Sequence, residues 1–74
     1  NPTTVINYQL AVDNYATLKV YNVVGKEVAT LVNGYERAGN HQVTFNGTQL
    51  SSGMYFYKLQ SGNNIEVKKL TLVK

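Results

Sequence analysis

Ser52-Gly53-Met54-Tyr55-Phe56-Tyr57-Lys58-Leu59, then Gln60-Ser61-Gly62-Asn63-Asn64, then Ile65-Glu66-Val67-Lys68-Lys69-Leu70-Thr71-Leu72-Val73-Lys74 is the stretch that decides the fold. It reads as two strands joined by a polar, glycine-containing turn. Tyr55, Tyr57 and Leu59 alternate inward against Phe56 and Lys58, the two-residue period of a half-buried strand. The last run breaks that period: Ile65 and Val67 define one face, whereas Leu70 and Leu72 fall on the opposite one. A β-bulge at Lys68-Lys69 would restore the register, and the alternative is a strand buried on both sides.

Working back toward the N-terminus, the same period recurs. Ile6, Tyr8 and Leu10 alternate with Asn7 and Gln9, and Ala16, Leu18 and Val20 with Thr17, Lys19 and Tyr21. His41, Val43 and Phe45 alternate with Gln42, Thr44 and Asn46, the first set marking the core side. Asn22-Val23-Val24-Gly25-Lys26 is a short hairpin connection in which Gly25 is free to take a positive φ. Glu27 to Val32 is apolar on both faces, which predicts a central strand or one crossing between sheets. Thr48 to Gly53 carries no strand pattern, so a longer connection plugged by Leu50 is expected after Asn46-Gly47. Turn signals at roughly eight- to twelve-residue intervals, with hairpin connections, predict an all-β fold: a small immunoglobulin-like antiparallel β-sandwich of about six or seven strands. The predicted core comprises Ile6, Leu18, Val20, Leu31, Val43, Phe45, Tyr57 and Leu59.

With 74 residues the chain makes one domain, residues 1–74, with a thin core and no room for a large deep pocket. There is no Cys, which removes disulfide staples and thiolate zinc sites, and no apolar run long enough to span a membrane. Asn1-Pro2-Thr3 has neither the charged start nor the apolar stretch of a signal peptide, so if the protein is exported that signal is expected elsewhere in a longer precursor. The net charge of +3 is unevenly placed. Lys19, Lys26 and Arg37 cancel Asp13, Glu27 and Glu36, whereas Lys58, Lys68, Lys69 and Lys74 face Glu66 alone. Such a basic end suits an anionic partner, or blunts an edge strand against unwanted pairing.

Catalytic chemistry finds little footing. His41 is the sole imidazole and reads as a hydrogen-bonded structural residue, and the four carboxylates are scattered without calcium-loop or zinc spacing. The glycines sit singly at turns and form no phosphate loop. No catalytic residue, metal or cofactor is expected, and no nucleic-acid partner. Tyr8, Tyr55 and Tyr57 read as core-edge residues, while Tyr15, Tyr21 and Tyr35 are candidates for exposure.

Several motifs recur in a known order: Asn1-Pro2-Thr3-Thr4, Leu18-Lys19-Val20-Tyr21-Asn22-Val23-Val24-Gly25-Lys26-Glu27-Val28, Ala38-Gly39-Asn40-His41, Leu50-Ser51-Ser52-Gly53-Met54-Tyr55-Phe56-Tyr57-Lys58-Leu59 and Lys68-Lys69-Leu70. Together they closely resemble the type A C-terminal sorting domain of the type IX (Por) secretion system of Bacteroidetes-like bacteria, across essentially the whole chain. A looser resemblance runs to the flagellar-hook-capping immunoglobulin-like domain, through the Tyr-Asn-x-x-Gly-Lys and Ser-Gly-x-Tyr-x-Tyr elements.

The first resemblance implies a non-catalytic signal domain at the end of a larger exported protein. Its partners would be the outer-membrane translocon and shuttle protein, and a sortase-like peptidase that usually removes it. Its cargo would pass through the periplasm to the cell surface or the medium. It places Pro2 in the leading segment, Gly53, Tyr55 and Tyr57 in the late central motif, and Lys68, Lys69 and Lys74 in the basic terminal strand, with recognition on these last six. The Tyr that often precedes Asn-Pro, and the linker expected to be cleaved, are not in this sequence. Readings of other classes are a structural or adhesion module that self-associates through exposed strand edges, and a sugar-binding appendage of a hydrolase.

Overall fold

The computed structural model describes residues 3–73. Six strands follow one another: β1 (Thr3–Leu10), β2 (Asn14–Tyr21), β3 (Glu27–Glu36), β4 (Gly39–Asn46), β5 (Gly53–Ser61) and β6 (Asn64–Leu72). β1 and β4 pair as one antiparallel sheet, and the other runs β3-β2-β5-β6, also antiparallel. This is the all-β sandwich that the alternation predicts. Only β2–β3 and β5–β6 are hairpins within a sheet, and the other three connections cross between layers.

Side chains from the two layers meet in one core. Ile6, Tyr8 and Leu10 of β1 and Phe45 of β4 pack on Ala16, Leu18 and Val20 of β2, with Tyr55 and Leu59 of β5 and Leu72 of β6. Five of the eight core residues read from the alternation are buried: Ile6, Leu18, Val20, Phe45 and Leu59. Leu31, Val43 and Tyr57 are half-buried and pack against the cluster. Leu50, in the crossing from β4 to β5, packs there too, and its N–H donates to the Gly47 carbonyl at 2.9 Å.

Two expectations about strand register are corrected. Glu27 to Val32 lies in an edge strand, since β3 pairs with β2 alone. Its doubly apolar pattern comes from two irregularities. Leu18 pairs with Val32 and Lys19 with Thr30, skipping Leu31, and Val20 pairs with Ala29 and Tyr21 with Glu27, skipping Val28. Each extra residue resets the two-residue phase, so apolar side chains at successive positions still reach the inner side.

The terminal strand, in contrast, has no bulge at Lys68-Lys69: pairing runs unbroken from Gly53–Leu72 to Ser61–Asn64. Leu70 and Leu72 face inward, and Ile65 and Val67 face out, 57% and 58% exposed. The phase fault arises because β6 carries apolar residues on a different face at each of its two ends. Leu72 is capped by Gly47, whose missing side chain makes the approach possible: a Cβ there would lie 2.5 Å from a Leu72 methyl.

The turns follow the local chemistry. In the β2–β3 hairpin the Asn22 side-chain oxygen accepts the N–H groups of Val24 at 3.1 Å and Lys26 at 2.9 Å, and Gly25 takes a φ of 86°. This explains the Asn-x-x-Gly-Lys element as a self-capped turn. Gly62, at φ 59°, opens the two-residue turn between Ser61 and Asn64.

Phe45 is 1% exposed and among the largest fully buried side chains. Phe45→Ala should cost about 3–5 kcal/mol, enough to unfold much of a domain this small, and an unchanged melting midpoint would contradict the assigned core. Gly47→Ala should cost about 1–3 kcal/mol by pushing Leu72 aside. Combined with Leu72→Ala, its cost should be less than additive in urea titrations.

Candidate recognition surface

The β5–β6 hairpin brings together most of the residues that the sequence singles out, but divides them between two faces. Gly53 opens β5 at a φ of 144° and is exposed, while Tyr55 two residues on is 7% exposed and donates its hydroxyl to the Ser51 carbonyl at 2.7 Å. That bond ties β5 to the connection before it, so Tyr55 is part of the scaffold. Tyr57 is half-buried on the same inner side and pairs across to Lys68. Lys69 pairs with Phe56 and belongs to the opposite, outer face. Adjacent lysines therefore present their charges on different faces of the four-stranded sheet, Lys68 inward and Lys69 outward. Lys74 and Pro2 lie outside the described residues.

The outer face carries further cations that a linear reading separates. Lys19 on β2 stands directly opposite Lys58 on β5. Like charges in that position repel, and each finds a compensating neighbour. Lys19 lies 3.5 Å from Glu27, and Lys58 sits over the Tyr21 ring at 5.6 Å from its centre. The hydrogen bond from the Thr30 hydroxyl, ahead of the Lys19 charge, holds the Glu27 carboxyl below the usual range. Around these cations Met54, Ile65 and Val67 are exposed, so the outer face of β5–β6 is a mixed basic and apolar surface. Outward parity in two strands was the available signal for Lys19 and Lys58; their register was not legible without the pairing.

His41 has the structural setting expected of it. Its ring stacks on Tyr8 with centres 5.2 Å apart, Nδ1 lies 3.2 Å from the Glu36 carboxylate, and Nε2 lies 2.6 Å from the Arg37 carbonyl. The Tyr8 hydroxyl donates to the same Glu36 oxygen at 2.9 Å. The cluster fastens β1 and β4 to the end of β3. Among the described residues no group of three or more His, Cys, Asp or Glu could hold a metal ion. No helix among them is long and apolar enough to cross a membrane.

The fold is a small two-layer β-sandwich with an exposed β5–β6 hairpin. The family model described as "Secretion system C-terminal sorting domain" matches residues 1–74, the whole chain, and the chain belongs to that family. It is a secretion signal of the type IX system. No curated protein matches it.

Burial, reinforced by the Glu36 carboxylate, raises the Tyr8 hydroxyl from 10.0 to about 12. The unfolded chain gives up this proton near its ordinary value while the folded chain still holds it, so stability falls as pH rises from 10 toward 12. Tyr8→Phe should be less stable at neutral pH through the lost bond to Glu36, yet should show a shallower alkaline decline in urea midpoints between pH 9 and 12. Parallel declines would contradict the buried setting of this hydroxyl.

Proposed function

We propose that the folded sandwich, carried as residues 1–74 at the C-terminal end of a larger exported protein, is the feature that the outer-membrane translocon and its shuttle protein recognise. The domain acts as an address and carries out no reaction of its own. It moves with its cargo through the periplasm to the cell surface or the medium, where a sortase-like peptidase removes it.

The observation that carries this reading is the β5–β6 hairpin. β6 pairs only with β5, in nine consecutive pairs without a break, and leaves its other edge open. A preformed edge offers backbone donors and acceptors with a fixed row of side chains, so a partner binds without first ordering a tail. Lys68 with Tyr57 on one face, and Lys69 on the other, are the contact residues of this reading, with Lys74 beyond them. Gly53 and Tyr55 set the course of β5.

Replacing Lys68, Lys69 and Lys74 together with Gln removes charge while keeping chain length and much of the aliphatic cover. Fused behind a periplasmic reporter in a host with the secretion system, this variant should fold with an unchanged melting midpoint, yet accumulate in the periplasm. Normal surface export of the well-folded triple variant would reduce the lysines to edge protection. Tyr55→Phe should lower stability by about 1 kcal/mol through the bond lost to Ser51, with export falling only as far as folding does.

A further inference from the structure

The two layers of the sandwich differ in width, and the difference leaves a strand-sized trough. In the four-stranded sheet β6 lies outermost on one side and β3 on the other. β4 starts beside the end of β3, from which two residues separate it, and Gly47 just past its other end meets Leu72 of β6. Near the β5–β6 turn the residues from Asn7 to Val12 share clefts with Leu59 and Glu66, so there the free edge of β1 lies toward β6. No strand covers the inner face of β6 along Glu66 and Lys68. A cleft of about 740 Å³ occupies the space, lined above by β1 from Asn7 to Gln9 with Asn40 and His41 of β4 behind it, and below by Tyr57, Leu59, Glu66 and Lys68. A second cleft, of about 280 Å³, shares Gln9, Leu59 and Glu66 and extends along β1 to Val12.

We infer that this trough is a docking site for one extended polypeptide strand of a partner protein, which pairs with the free edge of β1 and places an acidic side chain over Lys68 and a basic one over Glu66. β1 pairs with β4 alone, so every second residue directs its backbone N–H and C=O toward the trough. A strand added there would sit about 4.8 Å beyond β1, above β6. Its inward side chains, at alternate positions, would meet the inward residues of β6. Glu66 and Lys68 are both exposed and make no ion pair among the described residues. Leu59 and the half-buried Tyr57 supply apolar contact beside them.

A second whole copy of this chain does not suit the site. Pairing β1 with β1 of a copy would bring the copy's own sheet into the space that the projecting β6 occupies, whereas a single strand needs only the trough. The inference goes beyond the export reading and does not require it, because it concerns the chemistry that the trough accepts.

The test uses the 74-residue chain and two blocked eight-residue peptides in which threonine alternates with inward residues in the order valine, aspartate, lysine, valine or valine, lysine, aspartate, valine. At roughly millimolar peptide, one order should slow amide hydrogen exchange at alternate residues of β1. That order should be preferred about three- to tenfold, the range that two partly exposed ion pairs provide. The double substitution Glu66→Lys with Lys68→Glu leaves the composition unchanged and should reverse the preference. Three results would overturn the inference: no slowing at β1 with either peptide, slowing confined to the edges of β3 or β4, or a preference that survives the charge exchange. A failure here leaves the export assay unaffected, and a failure of export leaves the peptide result standing.

Discussion

A two-stranded layer has to cover the apolar stripe of a four-stranded one, and the rest of this molecule follows from that mismatch. Phe45, Ile6, Tyr8 and Leu10 cover Ala16, Leu18 and Val20 at the centre, where burial is complete. The layer reaches β6 only at its Leu70–Leu72 end. Under the covered part, alternation of apolar and polar residues is strict because each inward side chain loses water on folding. Past that boundary the inner face is wet, and Glu66 and Lys68 occupy inward positions without a burial cost. The limit of the core thus accounts for the two charges on the inner face of β6, while Lys58 and Lys69 belong to the outer face.

The same boundary separates what the sequence made legible from what it did not. β1, β2, β4 and β5 lie under or within the covering layer, and their faces can be read from alternation alone. β6 crosses the boundary. Its buried end at Leu70 and Leu72 obeys the core, whereas Ile65 and Val67 decorate the exposed outer face, so the apolar pattern reports two different surfaces. A bulge was the simplest expectation on the premise of one apolar face, and the regular register removes that premise. β3 is the converse case: real irregularities at Leu31 and Val28 imitate a doubly buried strand. Hydrophobic period marks burial directly and register only indirectly.

The candidate recognition residues show a similar division. Their nearness in sequence at the C-terminal end was plain, as was the accumulation of charge there. What the sequence could not supply is that Lys68 and Lys69 point to opposite sides, that Tyr55 is committed to the Ser51 carbonyl, and that Lys19 is brought opposite Lys58. The family motifs acquire physical content in the same way. Asn22 and Gly25 are needed for one tight turn, Gly47 for the approach of Leu72, and Tyr55 for fixing the start of β5. These residues fix a turn, a close contact and the course of a strand, and so belong to the fold.

The β5–β6 hairpin is a finished, ordered element before any partner arrives. Residue-resolved amide hydrogen exchange of the free 74-residue chain tests it most directly. The account expects alternate protection of β6 amides against β5 from Asn64 to Leu72, continuous through Lys68 and Lys69, with the strongest protection in β2 and β5. Free exchange along the whole of β6 would mean that the tail orders only on binding, and a break in the alternation at Lys68-Lys69 would restore the bulge; either would contradict the structure described.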